Sequence, residues 1–221
     1  PYPNAHIIII TNDEMKQIAT KSKHGAFGAG IRVSVTKTKS DIQVAYNNPQ
    51  YIFSAYRMKG SYKGIADKLA QVIGAKQQFG MDGSLDDDDL REYHYKMFMP
   101  YFDDEETLVK HSNYKDACAK VEAALAAHKG GTSKVYRIDL PGKDESIFGV
   151  ALTKKESSDK FIMGEIDFKK LKATAHLPYE VVVTGKKVIA LSAKFRIAVN
   201  FPELSMMGDN SFMNIMDSPD A

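Results

Sequence analysis

The chain has 221 residues, a formal net charge of +2 and a hydrophobic content of 43%. This length suits one large domain or two small ones, and the composition excludes disorder along the whole length. Positive and negative charges are mixed along the chain without a Lys/Arg block, so nucleic acid is not an expected partner.

The first quarter of the chain predicts a helix between strands. HIIIIT (6–11) is predicted to be a buried strand, and Asn12 or Asp13 is predicted to cap a helix over 13–22. Three glycines make KHGAFGAG (23–30) a loop. Alternating apolar residues in 31–49 predict two half-buried strands around the turn KTKSD, and Pro49 ends the second strand because it has no N–H.

The middle of the chain predicts three helices. Residues 61–73 place apolar side chains on one face, and Gly74 ends that helix. Ser84 and Asp87 fit the capping box of a second helix, which is predicted to run as far as Pro100. The clearest helix is NYKDACAKVEAALAAHKGG, which Asn113 is predicted to cap.

The last third of the chain predicts mainly strands. Alternation predicts strands over 134–140 and 147–152, and a short helix is predicted over 165–174. Paired strands are predicted over 179–202, followed by a loop and the short helix SFMNIM (211–216).

Two segments of the chain end in the same pattern, which predicts an internal duplication. IQVAYNNP (42–49) aligns with FRIAVNFP (195–202), apolar on apolar and Asn-x-Pro on Asn-x-Pro. The predicted fold is therefore α+β, with two related β-rich halves, helices packed on one face and a pseudo-two-fold relation. The halves would be residues 1–80 and 107–221, joined by a helical connector over 81–106, with a cleft between them. Chance similarity of two strand-turn-strand segments is the alternative.

The segment LPYEVVVTGKKVIALSA (177–193), with the helix and the strand VYRIDL before it, resembles the family called domain of unknown function three-oh-two. That family runs helix, strand, a variable middle and a Leu-Pro that leads into a hairpin, and residues 108–193 follow this order. Residues 31–49 resemble the closing hairpin of a second, degenerate copy near 6–74. The resemblance implies a small α+β domain, and it implies no activity and no catalytic residue.

Four residues near the predicted strands are candidates for binding a ligand. His176 comes before one hairpin and His24 before the other, so in a duplicated fold the two histidines would face a shared cleft. Arg32 and Arg196 belong to the two hairpins, and arginine on a sheet face can bind an anion. The alternative is structural, with histidines bound to main-chain carbonyls and arginines in solvent.

Two groups of residues with soft donor atoms form a candidate copper site. The first group is His94, Met97 and Met99, and the second is Met206, Met207, Met213 and Met216. Thioether and imidazole ligands suit Cu(I), so the two groups would bind copper if they converge. The alternative is that these methionines fill irregular parts of the core.

The cellular location is left open. The longest aliphatic run has four isoleucines, far fewer than the roughly 18 apolar residues that cross a bilayer, so no transmembrane segment is expected in this chain. Because the chain starts at Pro1 rather than Met, removal of an upstream segment is expected. A periplasmic or membrane-associated protein and a cytoplasmic one are the alternatives. The single cysteine, Cys118, excludes an intramolecular disulfide.

The predicted function is that of a binding or accessory module. It would hold a small ligand, a metal or a partner protein in the cleft between the halves, and copper is the one cofactor considered. One alternative is an enzyme that uses His176 with a nearby carboxylate, and another is a structural subunit of a homo-oligomer. A shallow pocket lined with Met, Tyr and Phe favours the module, and a deep cleft with buried ionisable groups favours the enzyme.

Overall fold

The computed structural model of the protein describes residues 2–81, 86–216 and 218. Within these residues the fold is α+β, as predicted, with two antiparallel sheets of three and five strands. The predicted capping residue Ser84 lies outside the described residues. None of the described helices is both long enough and apolar enough to cross a membrane.

The three-stranded sheet, called the small sheet below, is formed by the N-terminal part of the chain. It contains β1 (Ala5–Ile10), β2 (Ile31–Lys37) and β3 (Ile42–Tyr46), paired in that order. Helix α1 (Asp13–Ala19) follows β1, and its cap is the predicted Asn12, whose Oδ1 accepts a hydrogen bond from the Met15 N–H at 2.8 Å. The positions of the three predicted strands are confirmed. The expected burial of 6–11 is wrong, because β1 is an edge strand whose residues are half-buried or exposed, and the apolar residues Ile42 and Val44 of the other edge strand, β3, are exposed as well.

Three helices follow the small sheet. They are α2 (Pro49–Ala55), α3 (Lys63–Ile73) and α4 (Asp87–Arg91). The prediction of α3 is confirmed, whereas α2 was not predicted. Pro49 ends strand pairing, as expected, but it also begins α2, because proline fits the first helical turn, where no N–H is needed.

The helix predicted to reach Pro100 is wrong beyond Arg91, where α4 ends. The next residues leave the helical path because their tyrosines are bound elsewhere. Tyr93 donates from its hydroxyl to the Ala198 carbonyl at 2.9 Å, and Tyr95 donates to the Leu204 carbonyl. These contacts hold the segment against the C-terminal part of the chain, and local periodicity carries no information about them.

The five-stranded sheet, called the large sheet, is formed by the rest of the chain. The elements in chain order are β4 (Glu106–Lys110), α5 (Tyr114–Ala126), β5 (Thr132–Asp139), β6 (Glu145–Leu152), α6 (Asp159–Ile166), β7 (Tyr179–Thr184), β8 (Lys187–Ala190) and α7 (Ala193–Asn200). The strands are ordered β4-β8-β7-β6-β5 in the sheet. The predictions of α5, β5 and β6 are confirmed. The helix predicted over 165–174 is wrong in position, because Ser158 caps α6 six residues after β6 ends at Leu152, and the helix ends at Ile166.

The predicted duplication fails at the segment on which it was based. Residues 42–46 form strand β3, whereas residues 195–199 lie inside helix α7. All five residues from Phe195 to Val199 are buried, and a helix that is buried all round loses the one-sided pattern that distinguishes it from a strand. The pseudo-two-fold relation between halves is therefore not confirmed.

The large sheet lies between two layers of apolar side chains. On one face it packs against α5, through the cluster Ala117, Cys118, Leu125, Phe148, Val150, Val183 and Val188. On the other face Ile138, Ile147, Val182 and Ile189 join the main core, which includes residues of β2, α1, α2, α3 and α7. The small sheet and most helices thus lie on one side of the large sheet, and α5 lies on the other.

Both edge strands of the large sheet are irregular. The pairing of β4 with β8 shifts register between Thr107 and Val109, and the pairing of β5 with β6 shifts between Lys134 and Tyr136. Such bulges twist an edge away from the geometry that another strand needs for pairing.

Candidate functional site

Three of the four predicted ligand-binding residues meet at Glu180, a buried residue of β7. Arg32 donates from Nη1 to Glu180 Oε1, and Arg196 donates from Nε to Glu180 Oε2 at 2.8 Å. His176 lies beside them, with Nδ1 3.4 Å from Arg196 Nη1. We call Arg32, His176, Glu180 and Arg196 the buried network, because each of them is at most 5% exposed.

The two arginines reach the network from different layers of the fold. Arg32 lies next to Ile31 in β2, and its Nε donates a hydrogen bond to the Ala175 carbonyl at 2.9 Å. Arg196 lies on α7, and its Nη2 donates to the His176 carbonyl at 2.6 Å and to the Pro178 carbonyl. The arginines therefore bind the turn that leads into β7 through its main chain, in addition to Glu180.

Electrostatics keep Arg32 charged and His176 neutral. Burial alone lowers the pKa of Arg32, but the Glu180 carboxylate, together with Tyr56 and Tyr136, more than offsets that effect, so this pKa is raised. Burial, Arg196 and Arg32 together hold the pKa of His176 well below its ordinary value. The hydroxyl of Tyr136 donates to Glu180 Oε1 at 3.2 Å, and burial raises its pKa well above the ordinary value.

The buried network occupies the boundary between the sheets, where a cleft was predicted. It joins β2 of the small sheet, β7 of the large sheet and α7 through charged side chains. Two guanidinium groups share one carboxylate, and main-chain carbonyls take up further N–H groups of both arginines. The arrangement holds the layers together, and binding of a ligand by these residues stays a prediction.

His24 is placed apart from the buried network. Its Nε2 is 3.4 Å from Glu105 Oε1, and its ring packs edge-on against Phe102 with 6.0 Å between the ring centroids. Its Nδ1 is buried without a hydrogen-bond partner among the described residues. Burial lowers the pKa of His24, and Glu105 opposes that effect. His24 and His176 therefore have separate contacts, instead of the shared site that the duplication suggested.

The two methionine groups are brought near each other by the contacts of the segment after α4. Met99 and Met206 pack, partly buried, against the same apolar cluster, and the Met213 N–H donates to the Met206 carbonyl at 3.2 Å. The side chains of the other four methionines in these groups are exposed: Met97, Met207, Met213 and Met216. A shallow depression of about 460 Å³ lies here, lined by Tyr95, Lys96 and residues 202–207.

His94 is not among the residues that line this methionine depression. Its ring stacks on Tyr101, with 4.5 Å between the ring centroids and 26° between the planes. Among the described residues, no group of three or more His, Cys, Asp or Glu side chains is arranged to hold a metal ion.

A second depression, of about 520 Å³, was not predicted from the sequence. We call it the arginine depression, and it is lined by Arg57, Arg91, Glu92, His94 and Tyr101. Arg57 follows α2, Arg91 ends α4 and Tyr101 lies before β4, so the residues come from three separate parts of the chain. No spacing in the sequence connects them, and the isolated charge of each arginine is the only local signal.

Main-chain carbonyls hold both arginines of this depression in place. Arg57 donates from Nε to the Arg91 carbonyl at 2.6 Å, and Arg91 donates from Nη2 to the Met58 carbonyl at 2.9 Å. The Arg91 guanidinium also lies over the Phe53 ring, 5.7 Å from its centroid. The Asp103 carboxylate pairs with one of the two arginines, since its Oδ1 lies 2.8 Å from Arg57 Nη1.

Comparison with known proteins finds no relative of this chain. No family model matches the chain, and neither a curated protein nor a solved structure matches it. The function is therefore argued from the geometry of the sites alone.

Proposed function

We propose that the protein is a non-catalytic binding module that holds a small organic anion in the arginine depression. The observation that carries this proposal is the pair of guanidinium groups, Arg57 and Arg91, fixed by main-chain carbonyls at a depression of about 520 Å³. This volume lies in the range of roughly 300–1,000 Å³ that is typical of small-molecule sites. Arginine is the side chain best suited to a carboxylate, because its planar fork can donate two parallel hydrogen bonds.

Preorganisation supports binding by these two residues. An arginine that is free in solvent loses side-chain entropy when it binds, which offsets part of the gain. Here Arg57 and Arg91 are already oriented by hydrogen bonds to carbonyls, which carry no net charge. Their positive charge therefore remains to attract a ligand, except where Asp103 pairs with Arg57.

The burial of His176 argues against the enzyme alternative. The residue is 1% exposed, and its ring nitrogens face Tyr179 and Arg196. A general base must come within hydrogen-bond distance of its substrate, and a side chain enclosed in this way has no such access. The bulges on both edges of the large sheet argue against a homo-oligomer built by strand pairing at those two edges.

A second candidate function, Cu(I) binding, is favoured by the approach of the two methionine groups. Met99 and Met206 pack on one cluster, and Met206 and the exposed Met207 line the depression of about 460 Å³. Titration of the purified protein with Cu(I) under reducing conditions tests it, with Met206→Leu combined with Met207→Leu as the variant. Stoichiometric binding that this variant loses supports the candidate, and the absence of stoichiometric binding removes it.

A titration with acetate tests the anion proposal directly. In ¹⁵N-labelled protein, the side-chain Nε–H resonances of Arg57 and Arg91 should shift and saturate with potassium acetate, compared with potassium chloride at equal ionic strength. Arg91→Lys keeps the charge but removes the fork, so it should weaken binding. The matched control is Arg137→Gln, which removes an arginine paired with Glu122 and Asp139 on the opposite face of the large sheet. If acetate moves these resonances no more than chloride does, the proposal is wrong.

A further inference from the structure

The structure points to the chemical class of the ligand, in an inference that rests on the proposed function. We infer that the arginine depression takes an aromatic acid with a single negative charge, that is, a carboxylate attached to a flat ring. The carboxylate would contact Arg57 and Arg91, and the ring would stack on the aromatic pair at the rim, His94 and Tyr101.

The aromatic pair provides a flat surface that exists before any ligand binds. The rings of His94 and Tyr101 lie 4.5 Å apart at 26°, so each restrains the other. The Tyr101 N–H also donates to Asp104 Oδ2 at 2.8 Å, which fixes the main chain beneath the ring. Tyr101 remains 38% exposed, so part of its ring is accessible. A flat surface that is already ordered binds another ring with little loss of conformational entropy.

The charges around the depression favour a ligand with one negative charge. Arg57 and Arg91 supply two positive charges, and the lining also contains the carboxylate of Glu92. Asp103 lies 2.8 Å from Arg57 Nη1 and neutralises part of its charge. A carboxylate can place its single charge between the two guanidinium groups, whereas the second charge of a phosphate ester would come close to the carboxylates of Glu92 and Asp103 and be repelled by them.

A comparison of three small anions tests this inference with the full chain. Benzoate should bind about tenfold more tightly than acetate, which corresponds to the upper part of the range for one aromatic contact. Phenyl phosphate has the ring but two negative charges, so it should bind more weakly than benzoate. Dissociation constants come from the same arginine side-chain resonances as in the acetate titration.

Variants of the rim separate the ring from the charge. Tyr101→Leu should reduce benzoate affinity to the level of acetate and leave acetate affinity unchanged, and Tyr101→Phe should keep the preference. The matched control is Phe98→Leu, which removes a ring that is 97% exposed only three residues away and does not line the depression. This control should keep the full preference for benzoate.

The outcomes distinguish the inference from the proposed function. Equal affinities for acetate and benzoate would overturn the inference and leave the anion site standing. Tighter binding of phenyl phosphate than of benzoate would overturn the single-charge argument, and with it the inference. If neither acetate nor benzoate binds, the proposed function fails first and the inference fails with it.

Discussion

Replacing Glu180 by glutamine should be among the most destabilising isosteric substitutions in this protein. The change removes the carboxylate that Arg32 and Arg196 share and leaves two guanidinium groups buried without a counter-charge. Removing one partner of a buried ion pair costs about 3–5 kcal/mol, and since two cations lose their partner here we expect about 5 kcal/mol. Whole domains are stable by about 5–15 kcal/mol, so the variant should be marginally folded.

Urea unfolding followed by far-ultraviolet circular dichroism measures this loss. The matched control is Glu122→Gln, because Glu122 also binds two cations, Lys134 at 2.6 Å and Arg137 at 3.4 Å, but its side chain is 30% exposed. Exposed pairs contribute about 0–1 kcal/mol, so the control should lose no more than about 1 kcal/mol.

A small effect would refute the reasoning. If Glu180→Gln and Glu122→Gln lose the same free energy of unfolding, the two guanidiniums cannot be desolvated as their burial indicates. If Glu180→Gln fails to fold, the triple variant Arg32→Met, Glu180→Leu, Arg196→Met provides the second measurement. Apolar replacement of a complete buried ionic group is often neutral or stabilising, so this variant should fold.

Three further predictions concern a tight backbone contact and two buried titratable groups. Gly149→Ala places a Cβ 2.1 Å from ring atoms of Tyr136, so we expect a loss of about 1–3 kcal/mol in urea unfolding. Gly64→Ala, which meets nothing within 4 Å on the exposed side of α3, should instead gain up to about 1 kcal/mol, and equal effects would contradict this. Burial raises the pKa of Asp159 to about 6 from 3.8, so the folded state binds a proton that the unfolded state has released; stability should fall as the pH rises between these values. Asp159→Asn should remove that slope from a plot of free energy against pH, and an unchanged slope would refute the assignment. The depressed pKa of His176 has the opposite sign: the unfolded state binds the proton first, so stability should fall as the pH drops below 6.5. His176→Gln should flatten that part of the curve, and an equally steep loss in the variant would show that another group is responsible.

The elements that could be predicted from the sequence are those with a clear apolar pattern. Helix α5 has one buried face and shows its apolar side chains at helical spacing, and β6, which is buried on both faces, shows a short run of apolar residues beside a turn. Helix α7 could not be predicted, because burial on all sides removes the contrast between faces. Strand β4 was missed for the opposite reason, since all five of its residues are exposed and no apolar pattern marks it.

The candidate sites differ in the same way. The sequence indicates Arg32 and Arg196 as members of the two predicted hairpins and His176 as the residue before one of them, and the structure brings these three together around Glu180. The duplication that suggested their convergence is not confirmed. The three residues lie together for a different reason, because a charged side chain that is buried must be paired with an opposite charge or with hydrogen-bond acceptors. The arginine depression depends on contacts between segments distant in the sequence, and these contacts leave no local pattern.

The shared carboxylate also has a consequence for motion. Arg32 lies on β2 and Arg196 on α7, and both bind the side chain of Glu180 on β7. If one of these elements moved away alone, a charged side chain would be left in an apolar environment without its partner. Partial opening at this boundary is therefore suppressed, and the two sheets should lose their structure in a single event. Native-state hydrogen–deuterium exchange would then give the central amides of β2 and β7 the same opening free energy.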